Sequence, residues 1–219
     1  MSLQRFSENG AGWRAMRLVC GALGALLLAG CASAPSVTGA DAAGGPGVAA
    51  SEDIPPKVQT LYEQAVAAMA GGDPVEAELQ FGAFLLQNPG YPGAHVNLAI
   101  LMAAKGDDVA AGQHIRDALS LDSEHPAALN QLGILERRNG RFLEAESAYM
   151  KAVTASPDYA LAHYNLGVLN ELYLQRLDTA LAHFERYLEV GGDDQLVTKW
   201  VADLKRRIGS NERTANVTE

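Results

Sequence analysis

The chain has 219 residues, 48% of them hydrophobic and only 6% aromatic, with a net charge of −9. So acidic a chain argues against a nucleic-acid partner, whose phosphates need a basic face. The two cysteines, Cys20 and Cys31, form no disulfide or zinc pattern.

Residues 1–30 read as a leader. Arg5, Arg14 and Arg17 give it a positive start, and Leu18–Ala29 follows as a short apolar run. About a dozen apolar residues suit a signal-peptide core better than a membrane span. The run closes on Leu28-Ala29-Gly30-Cys31, which resembles the lipobox of bacterial lipoproteins. The resemblance implies that Cys31 is acylated on its thiol, that the leader is cut before it, and that the new amino terminus is acylated too. Three acyl chains exceed the two signals that stable anchoring requires. An ordinary secreted protein with an incidental cysteine is the alternative, disfavoured by the small pair before Cys31. Ala32 rather than Asp follows Cys31, which in that family favours the outer membrane, facing the periplasm.

Residues 31–57 hold the lipidated cysteine and a Gly, Ala, Ser and Pro-rich stretch without apolar periodicity, expected to be a flexible tether. About 25 residues of such coil reach roughly 25–30 Å on average.

From residue 58 the chain repeats itself. Pro126–Tyr159 aligns with Pro92–His125 and Val58–Tyr91 at steps of 34 residues, and forward with Ala160–Asp194. A period in this range marks a stacked repeat array. Ala65, Ala99, Gly133 and Gly167 share one column; Ala77, Ala111 and Ala145 share another, joined by Ala180 after a one-residue insertion. A small residue in each of two helices lets the pair cross closely. Phe81, Ile115, Tyr149 and Phe184 form the bulky column that fills between hairpins. Pro89 and Pro157 stop the second helix of their repeats, and Ser123 makes a weaker stop in the second. Gly71-Gly72-Asp73-Pro74, Gly106-Asp107 and Asn139-Gly140 mark the turns, with Asp73 as an N-cap ahead of a first-turn proline.

Leu132-Gly133, Ala145, Tyr149, Ala152 and Pro157, with Leu166-Gly167 in the next copy, make the stretch over 58–194 similar to the tetratricopeptide repeat family. That resemblance implies an all-α fold: a right-handed superhelical α-solenoid of four tandem helix–turn–helix repeats, about 58–91, 92–125, 126–159 and 160–194. Residues 195–209 are expected to form a capping helix, with Val197, Trp200, Val201, Leu204 and Ile208 as its apolar stripe. Lys199, Lys205, Arg206 and Arg207 give the cap its polar outer side, the last three suiting a helix C-terminus. Residues 210–219 read as a frayed tail.

No catalytic pattern emerges, and neither cofactor nor metal is expected. There is no Gly-x-Ser-x-Gly turn and no Gly-rich phosphate loop. His95 and His163 stand two periods apart, where the family usually has a core aromatic, and read as structural. What remains is recognition. In a solenoid of this kind the first helix of each repeat lines the concave side. The column Glu63, Asn97, Gln131, Asn165 is mostly amide, and in some family members asparagines here hold the backbone of an extended peptide. An amide carries donors and an acceptor, so it can satisfy any peptide unit. Asn130 sits beside Gln131, and Arg137 and Arg138 extend the strip with guanidinium groups for a carboxylate. Tyr62 and Tyr164 flank it, as aromatic contacts or as core. The alternative is that amides in this column bond neighbouring helices and bind nothing. Tyr62 and Val66 stand where the family's chaperone-tail clamp has basic residues, so that activity is not supported.

The sequence therefore points to a lipid-anchored scaffold or adaptor that binds protein or peptide partners in a bacterial envelope assembly without turnover. Family relatives of this kind include pilus-assembly pilotins, adaptors of peptidoglycan hydrolases and accessory proteins of energy-transducing systems. Self-association is the structural alternative; a large exposed apolar patch around Tyr62 and Met69 would favour a homo-oligomer.

Overall fold

The computed structural model describes residues 55–217, with side chains through 210. The leader, Cys31 and the tether up to residue 54 lie outside the described residues. Within them are helices α1 (Pro56–Ala70), α2 (Pro74–Gln87), α3 (Pro92–Ala104), α4 (Asp108–Leu121), α5 (Pro126–Arg138), α6 (Phe142–Ala155), α7 (Ala160–Leu172), α8 (Leu177–Gly191) and α9 (Gln195–Val217). None of the described helices is long and apolar enough to cross a membrane.

The turns form as their chemistry dictates. Gly72, Gly106 and Gly140 carry φ of 78°, 83° and 73°, a conformation a Cβ disfavours. In the fourth hairpin the loop is longer, and Gln175 takes the left-handed position at φ 55°. Asp73 and Asp107 cap α2 and α4, their side chains accepting from the Glu76 and Ala110 amides at 3.0 and 2.9 Å. α4 nevertheless ends at Leu121, the position that matches the ends of α2 at Gln87 and α6 at Ala155. Asp122 ends that helix and accepts from the Glu124 amide at 3.0 Å, doing locally what proline does elsewhere.

His125 caps α5: its Nδ1 accepts from the Ala128 amide at 3.3 Å, which requires an unprotonated nitrogen. Burial holds this imidazole below its usual range against the pull of Asp122; burial, then the neighbouring His163, does the same to His183. An unfolded imidazole titrates at about 6.5. Below that pH the unfolded chain takes up protons that the folded chain refuses. The stability contributed by neutral His125 and His183 is therefore full above pH 6.5 or so and falls as the pH drops through their lower folded values. Urea midpoints should be lower near pH 5.5 than near pH 7.5. His125→Asn, which keeps an acceptor at the cap but does not titrate, should show a smaller difference. An unchanged difference would remove His125 from this account.

Packing repeats with the period. Gly133 and Gly167 lie where Tyr149 and Phe184 press on the backbone: a Cβ at Gly133 would sit 2.4 Å from the Tyr149 ring, and one at Gly167 2.6 Å from Phe184. Both rings are fully buried. The core runs across repeat boundaries; Ala65, Phe81 and Phe84 of the first hairpin share a cluster with Leu98, Leu101 and Met102 of the second. Each hairpin thus completes its neighbour's interior, as a stacked array requires.

The last helix seals the end. Val197, Val201 and Leu204 are buried against Ala180 and Phe184, and the Trp200 ring lies 5.7 Å from Phe184. The helix runs past the expected end at 209 to Val217, because a lone Gly209 weakens a helix without stopping it and no proline follows. Lys205, Arg206 and Arg207 are consequently mid-helix, so the C-terminal dipole does not explain them. Lys205 and Arg207 instead pair with Glu185 and Glu171 at 2.8 and 2.6 Å, tying α9 to α8 and α7, and Arg206 pairs with Asp203.

Candidate functional site

Consecutive first helices α3, α5 and α7 lie against one another, while the second helices α2, α4, α6 and α8 have no comparable mutual packing. The first helices therefore form the inner side of the curve. The amide column falls there, and the structure divides it by role.

Asn97 is buried and its amide nitrogen donates to the Tyr62 hydroxyl at 3.0 Å. Asn165 is buried likewise and donates to Asn130 Oδ1 at 2.9 Å, Asn130 itself being sealed from solvent. At both steps an amide of one repeat bonds the residue just before the matching position in the preceding repeat. The middle step breaks this pattern. The residue preceding Asn97 is Val96, which has no acceptor to offer, and Gln131 makes no side-chain hydrogen bond among the described residues. It is half-buried, so its amide stands at the centre of the inner face with its bonding capacity unspent. Glu63, at the first rung, is exposed and accepts from Gln59 at 2.8 Å.

The flanking residues also divide. Tyr62 packs edge-on to Phe81 and Phe84, with ring centroids 5.8 and 5.5 Å away, and burial raises its phenol's pKa against the opposing Asn97 bond. Tyr164 sits among Phe184, Tyr187 and Trp200. Both are core members with a half-exposed edge. Arg138 reaches back one repeat: it donates to the Ala103 carbonyl at 3.1 Å and pairs with Asp108 at 2.9 Å. Arg137 lies over the Tyr173 ring at 5.9 Å with its Nε buried and unbonded. Met69, like Tyr62, is half-buried against the first cluster. The exposed apolar residues of the first hairpin are instead Val75, Leu79 and Leu86, on α2.

One feature of the inner face is absent from the sequence reading. Val66, Ile100, Ile134 and Val168 recur at 34-residue spacing, all half-buried and all on first helices. The spacing itself could have revealed them, since they follow the amide column by three residues, one helical turn. They give the face an apolar floor beside Gln131.

Residues 62–126 and 130–197 each match the family model described as tetratricopeptide repeat. The chain belongs to the tetratricopeptide repeat family. Among solved structures it is similar to pilF of Pseudomonas aeruginosa, at 22% identity over 71% of this chain and 70% of that one, with a TM-score of 0.63. A thermophilic tetratricopeptide repeat protein of Thermus thermophilus is similar at 23% identity, covering 69% of this chain and 83% of that one, TM-score 0.58. The O-GlcNAc transferase of Thermobaculum terrenum, in mutant form, is similar at 21% identity over 61% of this chain but 26% of that one, TM-score 0.55. These likenesses establish the fold, an all-helical repeat array.

Proposed function

We propose that this tetratricopeptide repeat protein is a lipoprotein anchored through Cys31 in the bacterial outer membrane, whose solenoid docks a protein partner of an envelope assembly on its inner face from the periplasmic side. It binds and positions that partner and performs no turnover. The observation that carries the docking reading is the unspent Gln131 amide beside the Val66, Ile100, Ile134 and Val168 floor. An extended peptide needs a donor and an acceptor for its backbone and apolar ground for alternate side chains, and the inner face offers both. Asn97 and Asn165 support this arrangement from beneath: their bonds to Tyr62 and Asn130 tie adjacent first helices, so the groove is pre-shaped. The anchoring reading rests on Leu28-Ala29-Gly30-Cys31 and the apolar run before it.

Site-specific photo-crosslinking in the native envelope tests the docking. A crosslinker at Ile134, on the inner side of α5, should trap a discrete partner. One at Leu143, exposed on α6, should not. Equal trapping from both positions would reject the groove. In the same cells Cys31→Ser should move the protein from the membrane to the soluble fraction; a variant that stays membrane-bound would mean the anchor lies elsewhere.

A further inference from the structure

The hairpin α3–α4 brings together two imidazoles and a carboxylate that the sequence alone does not associate. His95 Nδ1 and His114 Nδ1 are 3.2 Å apart, and Asp117 Oδ2 lies 3.9 Å from His95 Nδ1. One ligand atom from each of the three falls within 4.8 Å of the others. We propose that His95, His114 and Asp117 bind a divalent first-row transition-metal ion of the Zn2+ or Co2+ type.

The distances suit one ion shared by the three. Two imidazole nitrogens each about 2.0–2.1 Å from a zinc ion stand roughly 3.3 Å apart at the tetrahedral angle. The carboxylate oxygen is slightly far, and a turn of the half-exposed Asp117 side chain closes the gap. Its other oxygen already accepts from Gln113 at 2.9 Å, the outer bond that orients a ligating carboxylate. Imidazole with carboxylate is a donor set for Zn2+, Co2+, Ni2+ or Cu2+ rather than for Ca2+ or Mg2+. His114 also borders a cleft of about 530 Å³ with Glu78, Leu98 and Met102, and the Asp117 side chain is 39% exposed, so solvent reaches the donor set.

The protein contains its own control. His163 and His183 occupy the equivalent positions two repeats on, also with Nδ1 atoms 3.2 Å apart. There the His163 Nε2 is 3.0 Å from the Pro157 carbonyl, so it carries the proton and His163 Nδ1 is the acceptor for His183. The place of Asp117 is taken by Arg186, a cation that cannot ligate. In the second repeat no protein acceptor holds Nε2 of either imidazole, among the described residues. Both rings can then carry their proton on Nε2 and turn an unprotonated Nδ1 to a shared ion. The same scaffold thus holds a hydrogen-bonded pair in one repeat and a three-donor set in the other.

The test is titration of the tag-free full chain, in detergent, with Co2+ followed by displacement with Zn2+. One equivalent of Co2+ should bind with visible absorption of a nitrogen- and oxygen-ligated ion. His114→Gln and Asp117→Asn should each weaken binding by at least about tenfold, with circular dichroism unchanged, and His183→Gln should leave it as in the parent chain. Three results would overturn the assignment: no saturable binding by the parent chain, parent-like binding by both His114→Gln and Asp117→Asn, or loss of binding in His183→Gln.

Discussion

Gly167→Val should destabilise the protein by about 3 kcal/mol, the upper part of the range for overpacking a rigid interior. Helix propensity taken alone gives the opposite sign, since glycine is the worst helix former after proline and replacing it gains up to about 1 kcal/mol. Packing wins because a Cβ there would stand 2.6 Å from two Phe184 ring carbons, and that ring is fully buried with Tyr164 and Trp200 around it. Neither α7 nor α8 can withdraw, because α9 and the preceding hairpin hold them on opposite sides. In the first repeat Ala65 and Phe81 share one buried cluster, so this column takes a Cβ there that the Phe184 ring leaves no room for at Gly167. Gly82 is the control, a helical glycine with nothing within 4 Å of its Cβ position. Gly82→Ala should stabilise by about 0.5–1 kcal/mol. Urea unfolding of the two variants decides between packing and propensity. A Gly167→Val protein as stable as its parent would mean the hairpin crossing is looser than described.

Phe184→Ala should cost about 3–5 kcal/mol, the range for emptying a fully buried aromatic position. The loss should be local. Stability in a solenoid is a sum of hairpins and their nearest-neighbour contacts, and Phe184 joins α7 and α8 to Trp200 of the cap. Amide exchange should therefore accelerate first in α7, α8 and α9 while α3 to α5 stay protected, and Trp200 emission should shift toward that of an exposed indole. Uniform loss of protection along the chain would show that the array unfolds as one unit and that the nearest-neighbour account is wrong here.

Much of this architecture is legible without coordinates because a repeat imposes its own consistency. The small columns at Ala65 and Ala77 and the bulky column at Phe81 are readable four times over, the turn glycine three times and the capping aspartate twice, at Asp73 and Asp107, and the helices fall where the columns put them. Legibility fails where a residue's role depends on what faces it from another repeat. Asn97, Gln131 and Asn165 are equivalent by spacing. Only the structure separates them, since Tyr62 and Asn130 present acceptors to the first and last while Val96 presents none to Gln131. Arg138 reads as a groove cation and turns out to hold the preceding repeat, because Asp108 and the Ala103 carbonyl lie within its reach. Local reading also misjudged the end of the chain, where the absence of a stop after Gly209 lets α9 continue.

The sequence by itself determined the class of fold, the length and number of the hairpins, and the lines along which they pack, because these follow from short-range spacing and from which side chains are small, bulky or turn-forming. Tertiary structure decided which polar groups are spent and which remain available, and that His95, His114 and Asp117 meet. A hydrogen bond or a shared ion depends on distances of a few tenths of an ångström between helices, and the period of a repeat carries no information at that scale.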